Sequence, residues 1–500
     1  MTTQEALQTF RAKIEELHAL NHAMGVLQYD GETVAPPASA EGRGKTLEYL
    51  SGLAYEIETG PELNRAADFL AAHSDELSAQ DRREVEVFRR ETEFTASIPQ
   101  AEYVGYVTLL NRASAVWHKA KAENDYASFA PVVQEIFDTN VRFARYYKPD
   151  QAPYDVALGR YERGLTMQKA DAFFAALRER IVPLLKQVQS RPQVDDSFIW
   201  NKTYPIEAQR KFSDYLMDLI TIDRERCSIG ETEHPFTTNF NKKDVRITTH
   251  YHEQTPIYSM YSVIHEGGHA LYELHSGDEL EGTLLAGGVS MSIHESQSRF
   301  MENIIGRSRG FVQVILPKLH ELFPEQLGDV TAEQLYLAVN KAEPSLIRTE
   351  ADELTYALHV MVRYEIEKGL FDGSIRAEDL PRIWNAKYKE YLGIDVPDDR
   401  RGVLQDSHWS GGNVGYFPSY ALGSAYGAQM LAEMKKTVDV DAAVASGDLR
   451  PVTRWLEDHV WRFGAMYDPM DLLERAVGAP FDPKYYTDYL EEKFGSIYNL

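Results

Sequence analysis

His265-Glu266-Gly267-Gly268-His269 lies inside the run Tyr258-Ser259-Met260-Tyr261-Ser262-Val263-Ile264 … Ala270-Leu271-Tyr272-Glu273, with apolar residues on both sides of the two histidines. Such a run predicts a helix. Positions i and i+4 of a helix lie one above the other, so both imidazoles project from one face. Two neutral imidazoles at that spacing can bind one Zn²⁺, and the carboxylate between them can activate a water. The two glycines have poor helix propensity and would not be chosen for stability alone. The competing reading is a buried helix whose histidines are merely hydrogen-bonded. The rest of the chain must supply what a zinc hydrolase still lacks.

Upstream of the motif, residues 230–254 are rich in β-branched residues and alternate. His234-Pro235-Phe236-Thr237-Thr238 and Asp244-Val245-Arg246-Ile247-Thr248-Thr249 form the best strand candidate in the chain. The other periodic segments are helical. Leu7, Phe10, Ile14 and Leu17 recur behind Thr2 and Glu5, which have capping-box spacing. A break is expected at Tyr29-Asp30-Gly31 and Ala35-Pro36-Pro37, with the next helix from about Gly42. Ser78 to Arg90 has the charged face of an exposed helix, and Phe129, Val132, Val133, Ile136 and Phe137 mark a half-buried one. Leu165 to Val188 is a further helix that Pro183 should kink or end, and Ile206 to Leu219 is another.

Downstream, Leu284 to Ile293 reads as a loop leading into a helix. Thr331 and Gln334 begin one, and Thr349 to Gly369 is long, closing at Phe371-Asp372-Gly373. Gly411-Gly412-Asn413-Val414-Gly415 is a turn, and helical spacing returns from Trp455 onward. No repeat, low-complexity run or separating linker interrupts the 500 residues. The expected architecture is therefore all-α, with a small β-sheet beside the motif, in a single domain over residues 1–500.

A formal net charge of −25 argues against nucleic acid or an anionic membrane as partner. Cys227 is the only cysteine, so no intrachain disulfide and no multi-thiolate zinc site can form. That suits a reducing compartment. No segment approaches eighteen uninterrupted apolar residues, and Met1-Thr2-Thr3-Gln4-Glu5-Ala6-Leu7 has neither a basic n-region nor an apolar h-region. A cytoplasmic protein is the expectation.

Catalytic zinc takes three protein ligands and keeps one position open. Ser292-Ile293-His294-Glu295-Ser296-Gln297-Ser298-Arg299 offers Glu295, 26 positions beyond His269. A glutamate would complete the His₂Glu set of hydrolytic zinc sites, so Glu295 is preferred over its rivals His294, Glu273 and Glu302.

The motif together with His294-Glu295-Ser296-Gln297 resembles the carboxypeptidase Taq family of metallocarboxypeptidases. Further motifs of that family follow in order: His234-Pro235-Phe236, Asp244-Val245-Arg246-Ile247-Thr248, Ile347-Arg348-Thr349-Glu350-Ala351-Asp352-Glu353, Gln405-Asp406-Ser407-His408-Trp409 and Tyr416-Phe417-Pro418-Ser419-Tyr420. The resemblance runs from about Tyr29-Asp30 to the C-terminus, with no departure at a zinc or base position.

The resemblance implies an all-helical body with a deep central groove, like the neurolysin and angiotensin-converting-enzyme zincins, whose two helical halves would flank the cleft. It also implies a homodimer and zinc-dependent removal of single residues from peptide C-termini; whether Co²⁺ can stand in for the zinc the sequence leaves open. Zinc on His265, His269 and Glu295 would acidify its water and polarise the scissile carbonyl, and Glu266 would serve as general base and then acid. His408 is the first candidate to stabilise the oxyanion, followed by Tyr420 and Tyr416.

Reading the free α-carboxylate of the substrate calls for a guanidinium, whose paired donors match it. The family motif points to Arg348, with Arg246 and Arg401 as competitors that the sequence does not rank. Asp244 and Arg246 could instead pair and hold the strand, and His234 could line the cleft. A zinc endo-oligopeptidase is the alternative function, distinguished by internal cuts. A helical scaffold that keeps zinc for stability is a third, against which the intact Glu266 argues.

Overall fold

In the computed structural model, which describes residues 1–500, the alternating segment before the motif becomes three strands. They are β1, Cys227–Glu231; β2, Thr237–Asn241; and β3, Asp244–Thr249. Their order is β1-β3-β2. β1 runs parallel to β3 with Cys227 opposite Val245, and β2 runs antiparallel to it with Thr237 opposite Ile247. β3 is hydrogen-bonded on both sides, and Val245, Ile247, Thr248 and Thr249 are all buried. This accounts for its being the clearest strand in the sequence.

Helices account for 68% of the residues. The motif helix, Ile257–Leu274, lies against β2 and β3. The ligand helix, Met291–Arg299, starts at Ser290, whose hydroxyl accepts from the Ile293 amide. It passes directly into a π-helical turn, Phe300–Gly306, an irregularity often found at functional sites. The ligand helix packs on the motif helix on one side and on helix Pro418–Met434 on the other. Helix Glu353–Asp372 packs against Pro418–Met434 in turn. One large apolar core runs through these elements. A separate core of 12 buried residues ties helices Thr3–Thr33, Pro61–Ala72 and Ala79–Ala96 together at the N-terminal side.

Both capping boxes, Thr2 with Glu5 and Thr331 with Gln334, are formed. Two local expectations are corrected, and a third, that Pro183 kinks or ends its helix, loses its second half. Tyr29-Asp30-Gly31 does not break the first helix, which continues to Thr33 and is closed by Val34 and Ala35 amides on the Asp30 carbonyl. Gly31 instead makes room for the Arg43 guanidinium, which a Cβ there would meet at 2.6 Å, and the next helix begins at Ala40. Pro183 does not end helix Met167–Gln189. Both Pro183 and Glu179 are exposed, so water can satisfy the carbonyl that the proline leaves without a donor. The long helix after Ile347 starts at Glu353, because the Asp352 carboxylate caps the Leu354 and Thr355 amides. Arg348 therefore sits in a separate short turn, Arg348–Glu350.

Candidate metal centre

His265 and His269 lie one turn apart on the motif helix, their rings edge to face with centroids 5.1 Å apart. The glycines between them serve close packing. A Cβ on Gly268 would stand 2.5 Å from the Gln297 carbonyl oxygen, and one on Gly267 would stand 2.4 Å from the Ile220 side chain. Gly423 does the same from the opposite side, where a Cβ would lie 2.7 Å from Cβ and Cγ of Glu295. The three helices can thus close on the Glu295 side chain and aim it at the histidines.

One ligand atom each from His265, His269 and Glu295 falls within a 4.8 Å group. Glu295 Oε2 is 3.7 Å from His265 Nε2 and 3.5 Å from His269 Nε2. Donors on a tetrahedral zinc ion stand roughly 3.4 Å apart, as follows from metal–ligand bonds of about 2.0–2.2 Å. The donor set and its spacing fit a divalent cation.

The rival ligands stand directly behind this triad. Glu302 Oε2 is 2.9 Å from His265 Nδ1. His269 Nδ1 is 2.9 Å from His294 Nδ1, and His294 Nε2 is 2.5 Å from Glu273 Oε1. With Nε2 of each motif histidine facing the triad, each Nδ1 carries the proton. His265 then donates to Glu302, and His269 donates to His294, which donates to Glu273. Such outer partners orient metal-binding imidazoles and raise their basicity. Glu273 is fixed further by the Gly288 amide and by Asn239.

Burial alone would push Glu295 and Glu302 up, but Arg299 and His265 hold both carboxyls well below the usual range, with His269 adding to the effect on Glu295 and Arg307 to that on Glu302. Arg299 Nε donates to Glu295 Oε1 at 2.7 Å and Arg307 Nη2 to Glu302 Oε1 at 2.9 Å. Four carboxylates, Glu266, Glu273, Glu295 and Glu302, thus share the site with two guanidiniums. The formal excess of negative charge equals what one divalent cation carries. Burial opposes protonation of both motif histidines; it prevails at His269, whose pKa is lowered, whereas Glu295 and Glu302 reverse it at His265.

Glu266 is buried, and the Thr237 hydroxyl of β2 lies 2.6 Å from its Oε2. Thr237 was not singled out by its sequence, since any strand residue facing the helix could have taken that place. Arg299 and Glu302 do carry a signal: they follow Glu295 at i+4 and i+7, one face of a continuing helix.

A second cluster surrounds His408. Its Nε2 is 3.1 Å from Tyr420 Oη, and its ring stacks between Tyr416 and Phe417. Burial, with Arg348 and Arg363 assisting against Asp406, lowers His408 to about 4, so the imidazole is neutral at neutral pH. Burial pushes Tyr416 up to about 12 and holds Tyr420 protonated as well. Tyr420 precedes Gly423, the residue packed on Glu295, by about one turn of the same helix.

The Arg348 guanidinium lies 4.7 Å from the Tyr420 ring and places Nε and Nη2 on Asp406 Oδ1, with Nη1 on Tyr356 Oη. Tyr356 lies under Arg299, the partner of Glu295. Arg348, His408, Tyr416 and Tyr420 are thus brought together next to the metal triad. Three other sequence candidates are not. Arg246 forks Asp244 at 2.8 Å between the Tyr29 and Phe240 rings. Arg401 forks Asp398 at the surface, and His234 is exposed with its carbonyl bonded to Thr232.

Two cavities flank the centre. One, of about 920 Å³, lies between the first helix and β2 and reaches Glu273 and Gly287. The other, of about 870 Å³, is lined by Tyr161, the neighbour of Tyr416, and by Val289 and Ser290.

The sequence pattern of the carboxypeptidase Taq (M32) metallopeptidases matches residues 9–494. Carboxypeptidase 1 of Bacillus subtilis (strain 168) is 38% identical over 488 residues, covering 97% of each chain. Thermostable carboxypeptidase 1 of Pyrococcus furiosus is 34% identical over 500 residues, 98% of each chain. The crystal structure of an M32 carboxypeptidase from Deinococcus radiodurans R1 superimposes with a TM-score of 0.96 at 34% identity, over 99% of this chain and 100% of that one.

Proposed function

Because the chain belongs to the carboxypeptidase Taq (M32) metallopeptidase family and is a metallocarboxypeptidase, we propose that it works with one zinc ion held by His265, His269 and Glu295 and releases single residues of broad variety from peptide C-termini. The observation that carries this reading is the convergence of those three donors, with each histidine's other nitrogen already fixed by Glu302 or His294. When bound, the cation supplies Lewis acidity, which polarises a carbonyl and acidifies a water.

The chain's own residues do the rest. Glu266 takes the proton of the attacking water on its carboxylate and passes it to the leaving amine nitrogen. Thr237 holds Glu266 Oε2 and so fixes which oxygen faces the water. Neutral His408 donates through Nε2–H to Tyr420 Oη, which leaves the phenolic proton of Tyr420 for the oxygen on which charge develops. Tyr416 closes over this pair.

Arg348 binds the terminal carboxylate. Its aspartate is shared with Arg363, so two guanidiniums face one carboxylate and a positive charge is left over for the substrate. Arg246 and Arg401 each have an aspartate of their own and hold local structure.

Loading the protein with zinc, and separately with cobalt, and following a peptide by mass spectrometry tests the reading. The expected product is a ladder of single-residue losses from the free C-terminus, none from the amidated twin, and none after chelation. Internal fragments, or equal cleavage of the amidated peptide, would show an endopeptidase instead. No helix is long and apolar enough to cross a membrane. We place the enzyme in the cytoplasm as a homodimer of single-domain chains, a placement that cell fractionation and light scattering would check.

A further inference from the structure

The segment that carries His408 is fastened at both ends to one helix. From Glu353–Asp372, Arg363 donates through Nη2 to Gln405 Oε1 at 2.7 Å and through Nε to Asp406 Oδ2 at 2.8 Å. One turn further along, Glu367 receives Trp409 Nε1–H on Oε1 at 2.8 Å and the Gly415 amide on Oε2 at 2.9 Å. Tyr154 Oη donates to the same Oε2 at 2.8 Å. Arg363 and Glu367 are both fully buried.

Glu367 therefore grips the residue after His408 and the residue before Tyr416. His408 itself has one side-chain hydrogen bond, to Tyr420, and its Nδ1 is buried without a partner. Its backbone carbonyl accepts the Gly411 and Asn413 amides, and both belong to the turn whose two ends Glu367 holds. The exit is equally tight: Gly415 has φ +88°, and a Cβ there would meet the Ala157 carbonyl carbon at 2.8 Å.

We propose that Glu367 is a positioning residue for the peptidase reaction, holding the 409–415 turn so that His408 and Tyr420 face the developing oxyanion; this rests on the role proposed above for that pair. The chemistry favours a carboxylate there over any other group. Its two oxygens offer about four lone-pair directions and take all three donors, whereas an amide has one acceptor oxygen and brings two donors of its own. An apolar residue would leave three buried donors unpaired. Burying a carboxylate is costly unless it is hydrogen-bonded, and a helix–loop contact that needed only packing would not use one. Burial raises Glu367 to about 7, and the bonds from Trp409, Gly415 and Tyr154 oppose that rise more than Arg363 on the same helix does.

The test compares five metal-loaded proteins on a short peptide with a free C-terminus: wild type, His408→Gln, Glu367→Gln, Trp409→Phe and Tyr154→Phe. Glu367→Gln and Trp409→Phe should lower kcat about tenfold or more, because a catalytic group displaced by a fraction of an ångström loses its alignment. KM and metal content should stay at wild-type values. Tyr154→Phe removes a donor from the same carboxylate but does not touch the turn, so its kcat should match wild type.

If His408→Gln impairs turnover while Glu367→Gln and Trp409→Phe do not, the inference is overturned and the role of His408 stands. If Tyr154→Phe falls as far as Trp409→Phe, Glu367 is a general structural anchor, and the inference is overturned. If His408→Gln turns over like wild type, the role of His408 fails and the inference fails with it. Should Glu367→Gln not fold, the contrast between Trp409→Phe and Tyr154→Phe decides alone.

Discussion

Replacing His294 by phenylalanine would remove the middle of the chain that runs from His269 through His294 to Glu273 while keeping a ring of similar size. His269 Nδ1–H, now 2.9 Å from the His294 nitrogen, would face carbon. Glu273 would lose its 2.5 Å partner but keep the Gly288 amide and Asn239. An unpaired, largely desolvated N–H costs about 1–3 kcal/mol, and loss of an outer partner typically weakens metal binding about 10–100-fold. The two figures agree, since tenfold corresponds to about 1.4 kcal/mol.

The expected outcome for His294→Phe is therefore a zinc Kd raised about 10–100-fold at unchanged one-to-one stoichiometry. Competition against a chromophoric chelator measures both quantities. Unchanged affinity would mean that the chain behind His269 does not support the metal. Loss of stoichiometric binding would mean that His294 is itself a ligand, displacing Glu295. Either result would refute the layered reading of the site.

Glu266→Gln should bind zinc normally and turn over on the order of a thousandfold more slowly; steady-state kinetics with parallel metal analysis check it, and retained turnover removes Glu266 as the base. Arg348→Ala should cut kcat/KM for peptides with a free C-terminus about 10–100-fold, the worth of charge-assisted hydrogen bonds. Metal content should not change, and Arg246→Ala and Arg401→Ala should stay near wild type; if either of these falls further than Arg348→Ala, the carboxylate reader is misassigned. Glu162 is fully buried beside the start of the ligand helix, and burial raises it to about 7, although the Tyr426 hydroxyl donates to its Oε1 at 3.1 Å. Its folded pKa lies above its unfolded value of 4.5, so the stability it contributes is present below pH 4.5 and lost as pH rises through 7. Relative to Glu162→Gln, wild type should weaken by about 3 kcal/mol between pH 4.5 and 8. Urea unfolding of both proteins across that range reads the difference, and parallel pH profiles would contradict it.

What could be read from the chain follows the distance over which each feature is decided. The paired imidazoles of His265 and His269 are a matter of four residues on one helix, and β3 declared itself because pairing on both sides demands β-branched residues. The choice between His294 and Glu295 is different in kind. Adjacent residues on a helix point about 100° apart, so one must face the triad and the other must not. That outcome is set by Gly268 and Gly423, which lie far apart in sequence and admit the ligand helix at one rotation only. The donor set of hydrolytic zinc sites favoured the glutamate; propensity and periodicity could not decide it. The same holds for Arg348. Thr349 and Asp352 are both plausible helix caps, and which one starts the helix determines whether Arg348 belongs to a helix or to a turn. Asp352 takes the cap with two backbone amides, which leaves Arg348 in the short turn before the long helix and able to lie against Asp406 and Tyr420. Glu367 and Thr237 left no trace in the sequence because each acts through partners distant in the chain, namely Trp409 and Gly415 for one and Glu266 for the other. The residues hardest to read are thus the ones that hold the reacting groups still, since their identity is dictated by the donors they meet and not by the element they belong to.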